Sequence, residues 1–349
     1  MHSFYNDFKL LNRTRLGHLI ILLIFASVSA VVAYNYYYLI ERNTVALRLE
    51  LHQGIIESTA ISPYRYRILV PFLVQFVINI LSALISKEAS FIVSFICYDW
   101  IAIFFIIILL YRYLRIWFTT EQSLIGVLFV TTTIPIALRD HYYQPWSLLE
   151  AAFMIYGLIA IYNRKYWTFG LLVCLASLNR ETAIFLPLLF FLTGIDSVNL
   201  GRNLFKDRKH ILLSGVYFSL SVFILLGLRV FLGGAAHAED IRTLFLRNIS
   251  ISSLVYTLRN GGLFLGAFWL FALLGLPKAP EFVKRSTRII PIYLIFIAIW
   301  GVWFEVRLLM PLYPILIPLG LTFMFPAAVM GEKYKGQKTA DLRSSLENG

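Results

Sequence analysis

The chain has 349 residues, of which 59% are hydrophobic and 14% are charged, whereas a soluble domain carries about 45–50% apolar and about 25% charged residues. Long apolar runs recur from end to end, so the composition excludes an ordinary soluble protein and indicates a polytopic helical membrane protein. The net charge of +12 is typical of lysines and arginines that anchor the cytoplasmic ends of helices. We therefore expect no nucleic-acid partner.

The apolar segments follow one another along the whole chain. They lie near 16–40, 68–86, 90–111, 122–138, 147–162, 166–178, 183–195, 211–232, 261–277, 289–304 and 308–328. The first follows Lys9, Arg13 and Arg15, which favours an uncleaved signal anchor with a cytoplasmic N-terminus, although a cleaved signal peptide has the same pattern.

If every apolar segment spans the membrane, the basic loops fall on both sides of it, against the rule that they lie in the cytoplasm. The conflict is removed if segment 68–86 does not span. It contains Pro71, Gln75 and Asn79, and we expect it to lie as an interfacial or re-entrant helix on the outer face. The predicted fold is all-α, a polytopic bundle of about ten spanning helices plus this juxtamembrane helix. Both termini are then cytoplasmic, in the cell inner (plasma) membrane.

This topology gives a simple division of the chain. Residues 1–330 form a single transmembrane domain whose first outer loop, with juxtamembrane helices, covers about 41–88. Residues 331–349 are polar and are predicted to be a disordered cytoplasmic tail.

Two polar clusters, 139–141 and 179–182, bracket two apolar runs joined by a basic turn at 163–165. The clusters therefore lie on the same side of the membrane, where ionisable groups are costly and are usually paired or functional. Asp140 is either a cap paired with Arg139 or a catalytic carboxylate. His141 and the aromatic and amide residues at 142–146 suit a sugar substrate.

The cluster at 179–182 also has two interpretations. Arg180 and Glu181 form a self-satisfied pair in a tight turn, or Arg180 faces an anionic lipid headgroup and Glu181 orients it. For Glu150, at the start of the following helix, a favourable interaction with the helix dipole is the expected role.

Other charged residues also have a structural and a functional interpretation. Arg65 and Arg67 are interfacial anchors or phosphate ligands. Arg307 pairs with Glu305 or binds phosphate. Asp99 requires a partner such as Arg229, or a proton, because it lies near mid-membrane.

The first outer loop supplies the glutamates Glu41, Glu50 and Glu57 as candidate general bases, each with a solvated-charge alternative. The sequence contains no HExxH, DxD or CxxC motif and no glycine-rich phosphate loop, so we expect neither a metal nor a cofactor.

Three stretches carry a resemblance to a known family: PYRYRILVPFL, LNRETAIFLP and EVRLLMPLYPILIPL. With the polar clusters, they resemble uncharacterised bacterial members of the GT-C superfamily of polytopic glycosyltransferases. The resemblance implies a GT-C-like fold with a long first outer loop and a polyprenyl-phosphate-linked sugar as donor. It also implies an acidic base in that loop and a second acid in the next outer loop. Asp140 matches the second acid. The first loop contains no aspartate, and we take Glu50 as the counterpart.

The mechanism implied by the resemblance is an inverting, metal-independent transfer on the extracytoplasmic face. Arginines at 65, 67, 180 or 307 neutralise the phosphate leaving group, while a carboxylate deprotonates the acceptor hydroxyl of a glycan, lipid or protein. Two other classes fit the same residues: a transporter or flippase of a lipid-linked anion, and a non-catalytic partner in envelope polysaccharide assembly.

Overall fold

The computed structural model describes residues 15–139, 143–194, 208–236 and 240–326. Within these ranges the secondary structure is helical and contains no strand. The predicted site residues Asp140 and His141, and the predicted tail 331–349, lie outside the described residues.

The α-helices are numbered here in chain order. They are α1 (Arg15–Leu39), α2 (Val45–Ile56), α3 (Leu69–Leu81), α4 (Lys87–Leu114), α5 (Thr120–Leu138), α6 (Trp146–Tyr162), α7 (Tyr166–Asn179), α8 (Phe185–Gly194), α9 (Arg208–Leu232), α10 (Ile241–Asn248), α11 (Ile251–Leu265), α12 (Phe268–Gly275), α13 (Glu281–Ser286), α14 (Ile289–Trp300) and α15 (Tyr313–Met324). Short 3₁₀ segments occur at Glu41–Thr44, Tyr64–Tyr66, Glu181–Ile184, Leu276–Lys278 and Val306–Leu312.

Among the described residues, five helical stretches are long and apolar enough to cross a membrane. They are Leu16–Leu39, Lys87–Leu114, Thr120–Leu138, Arg208–Leu232 and Val306–Met324. A bent pair, Ile251–Leu265 with Phe268–Lys278, makes a sixth if its 72° break lies within one span. The helical membrane bundle is thus as predicted, whereas the predicted number of about ten spans is not confirmed by length and composition.

Helix α3 is one of four shorter apolar helices. Its 13 residues extend for about 20 Å at 1.5 Å per residue, well short of a hydrocarbon core of about 30 Å. Val70, Val74 and Ile78 are buried on one face, while Phe72 and Phe76 are at least half exposed on the other. This pattern is in keeping with the juxtamembrane helix predicted at 68–86.

One end of the bundle is defined by an aromatic cluster. Trp117, Tyr162 and Phe282 contact one another with ring centroids 5.3–6.2 Å apart. The α4–α5 turn, the α6–α7 turn and α13 therefore meet at this end. The basic residues in these elements or beside them are Arg112, Arg115, Arg164, Lys165, Lys278, Lys284, Arg285 and Arg288. By the positive-inside rule this basic end is expected to face the cytoplasm.

A labelling experiment tests this orientation. Lys87 and Arg112 lie near opposite ends of α4 and both are exposed, so cysteines at these two positions are expected to react from opposite sides of the membrane. The background carries serine at Cys97 and Cys174, the free thiols among the described residues. A membrane-impermeant maleimide should label Lys87→Cys from outside and Arg112→Cys only after permeabilisation. Labelling of both from one side contradicts the arrangement.

Close helix packing near the C-terminus depends on one glycine. A Cβ at Gly275 would lie 2.0 Å from the carbonyl oxygen of Leu319, so α12 approaches α15 more closely than any larger residue permits. Small residues at contacts of this kind let helix backbones approach each other within a membrane. The contact holds α15 in the core, and the 3₁₀ segment just before α15 carries Arg307.

Candidate functional site

Three arginines from distant parts of the chain converge at one end of α6 and α7. Arg67, Arg180 and Arg307 are 7%, 7% and 4% exposed. Arg307 lies within electrostatic range of the other two. We call these residues the arginine cluster. It lies at the start of α6 and the end of α7, opposite the basic end of the bundle.

Each arginine of the cluster is paired with a glutamate. Arg67 donates from Nη2 and Nε to Glu181 Oε2 at 3.0 and 3.2 Å. Arg180 Nη1 donates to Glu150 Oε2 at 2.6 Å.

The third pair joins Arg307 to Glu305, which is one of the two roles predicted for Arg307 from the sequence. Three buried guanidinium groups are therefore balanced by three carboxylates, which is how charges are retained in a low-dielectric interior.

The pairing corrects two interpretations of the sequence. Arg180 and Glu181 do not satisfy each other, because Arg180 reaches across to α6 and Glu181 reaches the first outer loop. Glu150 does more than favour a helix dipole, since its second oxygen accepts the Thr182 hydroxyl. Residues 179–182 thus form a junction that links α6 to the first outer loop.

Local backbone geometry positions this junction. Helix α7 ends at Asn179, and Arg180 is extended with φ −165° and ψ 153°, so its side chain leaves the helix toward Glu150. Asn179 Nδ2 donates to the carbonyl oxygen of Trp146 at 3.0 Å. Arg307 Nη1 donates to Ser147 Oγ at 3.1 Å, which fastens the last 3₁₀ segment to the start of α6.

Aromatic rings form one wall of the cluster. The Arg67 guanidinium lies over the Trp146 ring at 5.0 Å and over the Tyr64 ring at 5.5 Å. Trp146 in turn contacts Tyr143, with ring centroids 5.6 Å apart. A planar cation over aromatic rings that contact one another in tilted and edge-on arrangements is a surface that suits both a phosphate and a sugar face.

Several buried polar atoms in the cluster have no hydrogen-bond partner. They are Arg180 Nε, Arg307 Nε, Trp146 Nε1, Asn179 Oδ1 and Glu181 Oε1. Beside them lies a cavity of about 10 Å³, room for about one water molecule. Its polar lining is Glu150, Asn179, Arg180 and Thr182. The Glu181 side chain, 23% exposed, is the most open part of the cluster.

Arg65 is not brought into the arginine cluster. Its guanidinium donates to the carbonyl oxygens of Leu232 and, at 3.3 Å, Gly234. These carbonyls lie at the C-terminal end of α9, where a cation favours the helix dipole. Arg65 therefore joins the first outer loop to α9, and of the two arginines in PYRYR only Arg67 contributes to the cluster.

A second buried cluster lies beside the first. Glu41 pairs with Arg48, and the carboxyl of Asp99 lies next to both. All three residues are at most 3% exposed. Burial raises the pKa of Glu41. We call this group the acid cluster.

The acid cluster corrects the suggestion that Arg229 is the partner of Asp99. Arg229 lies over the ring of Tyr66 instead. The sequence had a usable signal, because Glu41 and Arg48 are spaced i, i+7 across a helix start and so lie near one face. Glu50, the counterpart expected from the family resemblance, is exposed on α2 and belongs to neither cluster.

Tyr36 connects the two clusters. It is 4% exposed and lies within electrostatic range of Glu41, Asp99, Arg48 and Arg307. Together the clusters contain the acids Glu41, Asp99, Glu150, Glu181 and Glu305 and the bases Arg48, Arg67, Arg180 and Arg307. The two clusters together thus contain five acidic and four basic side chains.

The described residues contain no group of three or more His, Cys, Asp or Glu side chains placed to hold a metal ion. Comparison with known proteins gives no further lead, since no family model, no curated protein and no solved structure matches this chain.

Proposed function

We propose that this protein is a multi-pass glycosyltransferase of the inner (plasma) membrane. It moves a sugar from a polyprenyl-phosphate donor to an acceptor hydroxyl on the extracytoplasmic face. The reaction inverts the anomeric carbon and uses arginines in place of a metal. The observation that carries the proposal is the convergence of Arg67, Arg180 and Arg307, three of the four arginines expected from the sequence to bind phosphate.

The donor phosphate binds at the open edge of the arginine cluster. Arg67 is held by Glu181, whose side chain is the most exposed of the three paired glutamates there. A phosphate that takes the place of the Glu181 carboxylate meets the Arg67 fork, the geometry in which arginine binds phosphate best. The spare Nε–H groups of Arg180 and Arg307 stabilise the charge that develops on the leaving phosphate.

The sugar lies against the aromatic wall, and Asp140, the carboxylate predicted from the sequence, is the general base. Trp146 and Tyr64 provide ring faces beside Arg67, and the Trp146 N–H is without a partner. Asp140 accepts the proton of the acceptor hydroxyl as that oxygen attacks the anomeric carbon. The bond from that carbon to the phosphate oxygen breaks, and polyprenyl phosphate leaves.

The sidedness of the bundle supports this placement. Helices α6 and α7 run from the arginine cluster to the basic end and back, so a cytoplasmic basic end puts the cluster at the outer face. We further propose that short apolar helices other than α3 complete a set of about ten spans, with both termini in the cytoplasm.

The test is a transfer assay on membranes that carry the protein. A panel of radiolabelled polyprenyl-phosphate sugars is supplied, and label leaving the lipid is counted. We expect release from one donor, and a loss of about 10²–10³-fold in Arg67→Gln, the magnitude typical of removing one preorganised charge-stabilising donor. Arg42→Gln is the matched control, because Arg42 is exposed in the same loop and lies over Tyr38.

A transporter of a lipid-linked anion is the second candidate, and the buried acid cluster favours it. Acids within a membrane bundle mark ion and proton paths in transporters. In that case Asp99→Asn abolishes the activity of the protein in cells, and no donor loses its sugar in the transfer assay. Sugar release that depends on Arg67 and survives Asp99→Asn argues against the transporter.

A further inference from the structure

A buried histidine outside both clusters connects the juxtamembrane helices to the aromatic wall. His52 on α2 is 1% exposed. Its Nδ1 lies 2.9 Å from the Tyr143 hydroxyl, and its Nε2 lies 2.8 Å from Gln75 Oε1 on α3. Both ring nitrogens are thus engaged by side chains far away in the chain. Neither the proposed mechanism nor the bundle packing explains this use of a titratable group.

The hydrogen-bond directions are set by the neighbouring amides. Gln75 Nε2 donates to Asn79 Oδ1 at 2.6 Å, so the Gln75 oxygen faces His52 and accepts from Nε2–H. The neutral ring then has its lone pair on Nδ1, which accepts the Tyr143 hydroxyl proton. In a protonated His52 both ring nitrogens donate, so Nδ1–H donates to the Tyr143 oxygen and the bond is reversed. The Tyr143 hydroxyl hydrogen then loses its acceptor on His52.

Tyr143 links His52 to the arginine cluster through direct contacts. It is 1% exposed and its ring contacts Trp146, and Trp146 forms the surface over which Arg67 lies. We propose that His52 is a positioning residue: its neutral imidazole holds Tyr143, and through it Trp146, in the arrangement that lets Arg67 receive the phosphate group of a lipid ligand. The lipid phosphate comes from the proposed function, on which this inference rests.

The groups that face His52 favour the neutral ring. Arg48 on its own helix acts electrostatically on the ring, and Arg48 in turn lies next to Glu41 and Asp99. Helix α4 contributes the rings of Phe91 and Phe95, α3 contributes uncharged Gln75, and Tyr143 completes the shell. Burial lowers the pKa of His52, the hydrogen bond to Gln75 opposes this shift, and the positive Arg48 adds to it, so that the pKa is lowered.

The lowered pKa of His52 makes the folded protein less stable at acidic pH. Because the pKa of His52 in the folded protein is below its ordinary value of about 6.5, the unfolded chain binds a proton more readily than the folded one does. The stabilisation is therefore fully present above about pH 6.5 and is lost as the pH falls through the lower pKa of the folded protein. Phosphate binding through Tyr143 and Trp146 weakens over the same range.

Two substitutions of His52 by an amide residue show whether His52 positions Tyr143 or only fills space. In His52→Asn the amide lies close to the position of Nδ1 and keeps an acceptor for Tyr143 without a titrating group. In His52→Gln the amide reaches the position of Nε2 and leaves Tyr143 without its partner. Tyr143→Phe removes the same hydrogen bond from the other side.

The first readout is the rise in melting temperature in detergent when polyprenyl phosphate without a sugar is added. We expect wild type to show the rise at pH 7.5 and to lose more of it on acidification than His52→Asn does, because the phosphate titrates equally in both samples. At pH 7.5, His52→Gln and Tyr143→Phe should bind about tenfold more weakly than wild type, the order of one net hydrogen bond. Equal binding by all four proteins, or equal losses in both amide variants, overturns the proposal.

The second readout needs no lipid and separates this inference from the proposed function. The melting temperature of ligand-free wild type should fall below pH 6.5 more steeply than that of His52→Asn. An equal fall in the two proteins overturns the role of His52. If lipid phosphate binding follows the expected pattern but no donor sugar is ever released, the positioning role stands and the proposed glycosyl transfer fails.

Discussion

Asp140→Asn is expected to lower sugar transfer by about 10²–10⁴-fold, the range in which a positioned general base contributes. Asparagine has nearly the same shape but cannot accept the proton of the acceptor hydroxyl. In the proposed mechanism the phosphate is bound by the arginine cluster, so the affinity for polyprenyl phosphate should be unchanged. A loss of turnover with unaltered donor binding is the signature of an interaction made only in the transition state.

The measurement compares label release by equal amounts of protein in membranes. Glu57→Gln serves as the control, since Glu57 is an exposed acid of the first outer loop. Glu50→Gln belongs in the same series, because the family resemblance points to Glu50 as the acidic base of the first outer loop. Release by Asp140→Asn at the wild-type rate removes the general base from the proposed mechanism.

Arg180→Met is expected to destabilise the folded protein by about 3–5 kcal/mol, the usual cost of leaving one member of a buried ion pair without its partner. Glu150 accepts from both Arg180 and Thr182 and is 8% exposed. Methionine fills the space but leaves the Glu150 charge uncompensated. The expected result is a large fall in melting temperature and in the amount of protein in the membrane.

The double variant Arg180→Met with Glu150→Gln is the matched comparison. Glutamine keeps an oxygen for the Thr182 hydroxyl and carries no charge, so most of the lost stability should return. The coupling between the two sites is read from the full double-mutant cycle. Additive effects of the two changes contradict a direct pair between Arg180 and Glu150.

The helical membrane bundle could be predicted from the sequence because apolar runs long enough for a bilayer leave few alternatives. The presence of Arg67, Arg180 and Arg307 in one cluster could be suspected, because each is an ionisable group at a membrane boundary. Their partners could not be predicted. A guanidinium pairs with whichever carboxylate the fold brings near, and Glu181 is brought to Arg67 although the neighbouring Arg180 is adjacent in the chain.

Arg65 and Glu41 illustrate the same limit. Arg65 and Arg67 are two residues apart, yet one contacts the end of α9 and the other enters the cluster. Glu41 and Glu50 are both acids of the first outer loop, and burial alone separates them. Which residue of such a pair faces inward depends on the turn of a short 3₁₀ segment, and local sequence does not specify that turn.

The spacing of the ion pairs has a consequence for how the chain enters the bilayer during synthesis. Glu150 on α6 and Arg180 just after the end of α7 are 30 positions apart, so they can pair within the α6–α7 hairpin before any later segment emerges from the ribosome. A lone buried charge is costly to remove from water, and the hairpin lowers that cost by entering as one unit. Glu181 closes on Arg67, 114 positions earlier, and this fastens the newly inserted hairpin to the first outer loop. Nascent chains that stop just after residue 162 should therefore integrate less efficiently than those that include residue 182.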